Sequence, residues 1–148
     1  MNYLKIVVFN FIFFALLSLF TSQVLRADNL SCLAEAVYFE ARSEPFIAQL
    51  AVANVVLTRV ESPRYPDNIC DVVHQSKKWK GKPIRNKCQF SYWCDGKPET
   101  IANVDAYQES VSAAELALQG AILSQTGGAT HYNAAYVTPY WAMDEEFM

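Results

Sequence analysis

The sequence contains few of the residues that break or loosen a polypeptide chain. Its 148 residues include only five glycines and six prolines, whereas aromatic residues make up 14%. This composition excludes collagen-like, low-complexity and strongly disordered chains, which are rich in glycine or proline and poor in aromatic residues. The length allows one domain of ordinary size.

Charged and metal-binding residues are also scarce. Charged residues make up 18% of the chain and the formal net charge is −3, so no nucleic-acid partner is expected. The two histidines, His74 and His131, are isolated, and no C-x-x-C or H-x-x-x-H spacing occurs, so we expect no metal site and no cofactor. The sequence also lacks a G-x-S-x-G elbow and a phosphate-binding loop.

Apolar sequence is abundant at the N-terminus. Lys5 precedes an apolar run from Ile6 to Phe20, which only two polar residues interrupt. A basic start, an apolar middle and a small residue at Ala27 are typical of a secretory signal peptide, which predicts a signal over residues 1–27. The alternative is an uncleaved anchor, which would be the chain's contact with a membrane. Either alternative exports residues 28–148 to the periplasm, the cell envelope or the extracellular space.

Residues 28–148 form one predicted domain, expected to be monomeric, with its cations concentrated in one segment. This part of the chain has fifteen acids and ten cations. Six of the cations lie close together: Lys77, Lys78, Lys80, Lys82, Arg85 and Lys87. The simpler interpretation is a solvated, mobile loop. The alternative is a contact with an anionic polymer, for which Trp79 is the single aromatic residue inside the run.

The cysteines of an exported chain indicate disulfide bonds. There are four, namely Cys32, Cys70, Cys88 and Cys94. An even number in an oxidising compartment predicts two disulfides. Three pairings are possible, and the sequence does not distinguish between them.

Hydrophobic periodicity predicts an α+β domain that is mainly α-helical. Helices are predicted at about 31–42, from Phe46 to Val60, near 68–75 and at about 103–119. The second helix is apolar almost all round, so we expect it to be the buried central helix. Its polar interruptions are Gln49, Asn54, Thr58 and Arg59. Residues 130–137 are predicted to be extended and to form a small β segment.

One carboxylate lies on the apolar face of the first predicted helix. Glu40 shares an arc with Leu33 and Val37, whereas Glu35 falls on the opposite side. Burial raises the pKa of a carboxyl group, and a carboxyl that holds its proton near neutral pH can act as the general acid on a glycosidic bond. The alternative is structural, with Glu40 paired to a buried arginine or placed at the helix edge.

Aromatic side chains are concentrated in two further segments. Flat aromatic faces next to amides and hydroxyls suit a groove that binds sugars. The candidates for substrate binding are Gln89, Phe90, Ser91, Tyr92, His131, Tyr132 and Trp141. The alternative for each aromatic residue is a place in an aromatic core.

Four stretches of the sequence, taken together, resemble the SleB-type cell-wall hydrolases, a family that includes spore cortex-lytic enzymes. They are residues 33–45 (LAEAVYFEARSEP), 49–60 (QLAVANVVLTRV), 88–96 (CQFSYWCDG) and 130–142 (THYNAAYVTPYWA). The resemblance covers about residues 31–142. It implies a lysozyme-like, mainly helical catalytic module, without a separate binding module, that acts on the glycan strands of peptidoglycan.

The resemblance also implies a catalytic residue. The family's catalytic glutamate belongs to a Tyr-x-Glu-Ala-Arg motif, which falls on Glu40. Ser43 stands where the family usually has glycine, and Tyr92 and Asn133 stand where relatives often have tryptophan and histidine.

The expected reaction is cleavage of the bond between N-acetylmuramic acid and N-acetylglucosamine. A lytic transglycosylase is favoured, with Glu40 acting first as acid and then as base, because a standard glycosidase needs a second carboxylate. The alternatives are an N-acetylmuramoyl-L-alanine amidase and a non-catalytic peptidoglycan-binding protein on the same fold.

Overall fold

The computed structural model of the chain describes residues 26–132. The predicted signal segment up to residue 25, and residues 133–148, lie outside this range. The elements are helix α1 (26–41), α2 (Phe46–Glu61), α3 (Ile69–Val73), strand β1 (Ser76–Trp79), β2 (Lys82–Cys88) and helix α4 (Val104–Leu118), with short 3-10 turns at Ser91–Cys94 and Ser124–Thr126. No helix within the described range is long and apolar enough to cross a membrane. The prediction of a mainly helical domain with a small β component is confirmed.

Helix α2 is the centre of the domain, as its apolar sequence predicted. It begins after Pro45 and packs against α3 and α4. Its side chains Ala53, Val55 and Val56 are fully or almost fully buried, together with Val37 of α1. Because the apolar residues surround this helix, neighbouring elements cover it on several sides.

Asparagine side chains cap the N-termini of the two helices that follow α2. Asn68 accepts a hydrogen bond from the Asp71 backbone N–H at 2.8 Å, and Asn103 accepts one from the Ala106 N–H at 3.0 Å. Each bond satisfies a backbone donor of a first helical turn, which otherwise has no partner within the helix. Helix α4 ends before Gly120, whose φ of +94° suits glycine, as the sequence predicted.

The basic segment forms an antiparallel β-hairpin, so the prediction of a loop here is wrong. Trp79 pairs with Lys82 across a two-residue turn in which Lys80 (φ +49°) and Gly81 (φ +80°) both adopt positive φ. Two consecutive positive φ values are the requirement of the tight turns that join antiparallel strands. The segment is exposed, as predicted, on both faces of β2. Because both faces are exposed, the sequence of this strand lacks the alternation of apolar and polar residues that predicts a strand.

The β segment expected at 130–137 lies largely outside the described residues, and the β structure within the described range is the hairpin β1–β2. Residues 130–132 have no regular secondary structure, and the remainder of that segment lies outside the described residues.

Two disulfide bonds are present, as predicted, and the structure decides their pairing. Cys32 of α1 is bonded to Cys70 of α3, and Cys88 at the end of β2 is bonded to Cys94. The first bond joins residues 38 positions apart, whereas the second closes a segment of only six.

We predict that removing the first disulfide destabilises the chain more than removing the second. Chain-entropy arguments give about 4 kcal/mol for a loop of the first size and about 2 kcal/mol for the second. The double variants Cys32→Ser/Cys70→Ser and Cys88→Ser/Cys94→Ser should therefore differ by about 2 kcal/mol in the free energy of unfolding, measured with urea. An equal loss of stability in the two double variants would contradict this prediction.

Candidate active site

A cleft of about 430 Å³ opens beside the C-terminal half of α1. One wall is α1 itself, and the opposite wall is formed by the 3-10 turn at Ser91–Cys94 and the loop that follows it. The lining side chains include Phe39, Ser91, Tyr92, Asp95, Lys97 and Glu99. Two of the predicted substrate-binding residues, Ser91 and Tyr92, are thus brought to one cleft.

Stacked aromatic rings form part of the cleft lining. The ring of Tyr92 lies parallel to that of Phe39, with the ring centres 4.5 Å apart and the planes 17° from parallel. Tyr38 meets Phe39 edge-on at 5.1 Å. The hydroxyl of Tyr38 accepts hydrogen bonds from the backbone N–H groups of Ala102 (3.2 Å) and Asn103 (3.1 Å), which holds the loop before α4 against α1. Apolar ring faces beside polar edges are suited to binding a sugar.

Glu40 follows Phe39 in α1 and is half-buried. The hydroxyl of Tyr132 donates a hydrogen bond to its Oε2 atom at 3.0 Å. Burial raises the pKa of Glu40, while the Tyr132 hydrogen bond and the positive charge of Arg59 act in the opposite direction. The predicted upward shift of the Glu40 pKa is confirmed. Glu40 and Tyr132, which are 92 residues apart in sequence, form one pair.

The structural alternative for Glu40 was an ion pair with a buried arginine, and Arg59 is a buried arginine near Glu40. It is 5% exposed, and its guanidinium lies 5.4 Å from the ring centre of Tyr65 and 5.3 Å from that of Phe90. Its Nε atom donates to the Thr130 carbonyl at 2.8 Å. Arg59 makes no direct ion pair with Glu40 within the described residues. Its charge stabilises the Glu40 carboxylate without neutralising it through contact.

The segment that contains Tyr132 is held in place by Asn54 of α2. The Asn54 side chain donates to the Ala121 carbonyl at 2.9 Å and accepts from the Leu123 N–H at 2.8 Å. It also accepts from the Thr126 hydroxyl at 3.2 Å. Two polar interruptions of the apolar helix, Asn54 and Arg59, therefore position the C-terminal part of the described chain. Sequence reasoning noted these residues only as interruptions, and their polarity on a buried helix was the available signal.

The other predicted substrate-binding residues occupy different positions. Phe90 is 1% exposed and lies in the core, so its predicted contact with substrate is corrected to a packing role. Gln89 is exposed at the base of the hairpin, where its N–H donates to the Gln75 carbonyl at 2.9 Å, and it does not line the cleft. His131 is half-buried beside Thr130, and burial lowers its pKa. Trp141 lies outside the described residues.

Glu35 is a second half-buried carboxylate, which the helical wheel placed on the solvent side. Its Oε2 atom lies 3.9 Å from Nε2 of His74, whose ring stacks on Trp93 at 3.8 Å. Burial and the charge of Glu99 raise the pKa of Glu35, and the hydroxyl of Tyr92 acts in the opposite direction. The wheel was wrong because it considers one helix alone, whereas elements distant in sequence cover the second side of α1.

Glu35 and Glu40 together influence the hydroxyl of Tyr92. This side chain is 8% exposed, and burial raises its pKa, followed by the charges of Glu35 and Glu40. Two carboxyl groups with raised pKa values therefore act on the aromatic lining of the cleft. Among residues 26–132, no three His, Cys, Asp or Glu side chains are arranged to hold a metal ion.

Comparison with known proteins gives one consistent family. The profile of the family described as Cell Wall Hydrolase matches residues 43–148. A protein named spore cortex-lytic enzyme from Halalkalibacterium halodurans is 33% identical over 117 residues, which cover 77% of this chain and 30% of that protein. Proteins of the same name from Bacillus subtilis (42% over 48 residues; 32% of this chain, 16% of that protein) and Oceanobacillus iheyensis (40% over 50 residues; 34% and 18%) are also similar. No solved structure matches.

The matched regions are partial. The chain spans less than a third of the length of these relatives. The family match begins at Ser43, so Glu40 lies just before it.

We predict that Tyr132→Phe raises the pKa of Glu40. The substitution removes the hydrogen bond that stabilises the carboxylate and keeps the aromatic ring of residue 132. NMR titration of ¹³C-labelled glutamate carboxyls, with the Glu40 signal assigned from Glu40→Gln, measures the change. Tyr107→Phe is the matched control, because Tyr107 contacts the ring of Tyr38 and should leave the Glu40 pKa unchanged. A lower or unaltered Glu40 pKa in Tyr132→Phe would contradict the assignment.

Proposed function

This chain belongs to the cell wall hydrolase family, and from that premise we propose that it cleaves peptidoglycan glycan strands between N-acetylmuramic acid and N-acetylglucosamine. The observation that carries the proposal is the half-buried Glu40 carboxyl, with its raised pKa: Glu40 does not itself line the aromatic cleft, but its charge acts on Tyr92, which does. The relatives' name, spore cortex-lytic enzyme, supports lysis of a wall polymer as the outcome.

Glu40 begins the proposed reaction as the general acid. Burial favours its neutral form, which is the form that can donate a proton to the glycosidic oxygen. Because the Tyr132 hydroxyl already donates to Oε2, the proton of the neutral acid is carried by Oε1, from which it is transferred to the leaving oxygen. As the bond breaks, the negative charge left on Glu40 is stabilised by the Tyr132 hydroxyl and by the charge of Arg59.

Glu40 then completes the proposed reaction as the general base. Its carboxylate removes the proton from the 6-hydroxyl of the muramic sugar, and that oxygen attacks the anomeric carbon. The products are a 1,6-anhydro sugar and a glycan with a free 4-hydroxyl, and Glu40 regains its proton. This route needs one carboxyl group and no water, whereas direct hydrolysis needs a second carboxylate at a defined distance.

Three of the carboxylates available for a hydrolytic route are either bonded to other groups or exposed. Asp71 is bonded to Asn68 at the start of α3. Asp95 accepts from the Lys97 N–H and pairs with its ammonium group at 3.7 Å, and Glu44 is exposed. Glu35, which faces His74, and Glu99, which lines the cleft, are the carboxylates to replace if the products prove to be hydrolytic.

Two disulfides and membership of a cell-wall family fit an extracytoplasmic location. Export through the N-terminal 27 residues, and a lysozyme-like fold, belong to the same proposal.

The chain purified after export should release anhydromuropeptides from peptidoglycan, and Glu40→Gln should reduce that release at least 1000-fold, on the order expected for loss of the sole proton donor. Mass spectrometry of the soluble fragments is the measurement. Glu44→Gln is the matched control, since it makes the same chemical change at an exposed position. Reducing-end muropeptides would indicate hydrolysis, and free stem peptides an amidase. A non-catalytic protein would release nothing and would bind glycan equally with or without Glu40.

The rate of release should fall as the pH rises through the pKa of Glu40, because the acid form is required for the first step. Since Tyr132→Phe raises that pKa, the alkaline limb of its rate profile should move to higher pH, even where the maximal rate is lower. Rates of fragment release across a pH series measure the limb. A limb that moves to lower pH would contradict the proposed role of Glu40 as acid.

A further inference from the structure

The β-hairpin formed by β1 and β2 concentrates positive charge on an otherwise acidic chain. Residues 76–89 contain six cations and no acid, whereas the remainder of residues 28–148 contains four cations and fifteen acids. All six cations of the hairpin are exposed. An anionic partner is therefore attracted to this surface and repelled by most of the remaining surface.

The hairpin presents these cations from a fixed scaffold. Its tip is a tight turn, and its base is held by the Cys88–Cys94 disulfide. Arg85 is fixed against the chain that follows, because its Nε atom donates to the Asp95 carbonyl at 3.0 Å. A Cβ atom at Gly96 would approach the Arg85 side chain to 3.3 Å, so glycine permits this close contact. The other five cations of the hairpin are lysines, which do not contribute to this anchoring.

An exposed aromatic ring lies among the lysines. Trp79 is 71% exposed, and with Pro83 and Ile84 it forms an apolar surface near the turn, flanked by Lys80 and Lys82. A large apolar ring surrounded by cations combines stacking or packing with charge recognition. Such a surface suits a ligand that carries both apolar or sugar faces and carboxylates.

The hairpin continues directly into the wall of the cleft. The Asp95 that binds Arg85 also lines the cleft, as does Lys97. A long polymer bound in the cleft extends beyond it. The hairpin adjoins the cleft, and its positive charge attracts a polymer that carries negative charges. On the basis of the proposed function, the peptides attached to the glycan supply such carboxylates at regular intervals.

We propose that the hairpin Ser76–Cys88 is a docking surface for the carboxylate-bearing stem peptides of peptidoglycan, outside the catalytic cleft. Trp79 contributes apolar contact, and Lys78, Lys80 and Lys82 contribute the charge. Each exposed ion pair is weak, so the affinity comes from several pairs along one polymer and declines with salt.

The test measures binding of the exported chain to insoluble peptidoglycan by sedimentation, in the Glu40→Gln background so that the polymer stays intact. The triple variant Lys78→Gln/Lys80→Gln/Lys82→Gln is compared with Gln108→Glu/Ser112→Glu/Gln125→Glu, which lowers the net charge by the same three units at exposed positions elsewhere. Four probes are used: untreated wall, wall with its stem-peptide carboxyls amidated, wall stripped of phosphate polymers by acid, and vesicles of anionic phospholipid. Thermal unfolding checks that both variants remain folded.

The hairpin variant should bind untreated wall about tenfold more weakly at low salt, whereas the matched variant should bind about as well as the parent. Amidation should weaken the parent and matter little to the hairpin variant, and acid stripping should change neither. Equal binding by the hairpin variant, or loss of the parent's binding after stripping, would overturn the proposal. So would hairpin-dependent binding to anionic phospholipid vesicles with none to the wall.

Failure of this proposal is separable from failure of the proposed function. Fragment release by a chain that retains Glu40, with wall binding that is unaffected by the lysine substitutions, would leave the cleavage standing and remove the docking role. Hairpin-dependent binding without any fragment release would leave the docking role standing and remove the proposed cleavage.

Discussion

The hydrogen bonds that the buried polar side chains of α2 make with the segment 121–130 determine the site. Asn54 holds the turn after α4 through both ends of its amide, and Arg59 holds the Thr130 carbonyl. Buried polar groups need partners, so a polar residue on a buried helix fixes whatever chain supplies them. Here that chain leads directly to Tyr132, whose hydroxyl reaches Glu40. Without these bonds, nothing described above would hold Tyr132 beside Glu40.

Two opposing influences act on the pKa of Glu40. Burial against the domain favours its neutral form, whereas Tyr132 and Arg59 favour its charged form. The proposed reaction requires Glu40 to give up a proton and then take one back, so both forms must be accessible. An arginine in direct contact would favour the carboxylate strongly, but Arg59 is instead engaged with Thr130 and two aromatic rings. In the proposed reaction, the packing of the arginine is thus part of what leaves the carboxyl able to act as an acid.

Charge is divided between separate parts of the molecule. The acids are spread over the domain, while six of the cations are placed on one hairpin that continues into the cleft wall. This separation is invisible in the net charge of −3, which describes only the average. It permits one acidic domain to have a surface that attracts polyanions, while near the cleft the charge of Glu99 adds to burial in raising the pKa of half-buried Glu35.

Local pattern in the sequence was sufficient for several features of this protein. The apolar character of α2 predicted its burial, the apolar arc of α1 marked Glu40, and the even number of cysteines predicted two disulfides. These features depend on residues close together in sequence, or on a count. The tertiary structure alone decided the cysteine pairing, the partial burial of Glu35, the core position of Phe90 and the contact between Tyr132 and Glu40. Each of these requires elements that are distant in sequence to pack together, and no periodicity within a single element contains that information.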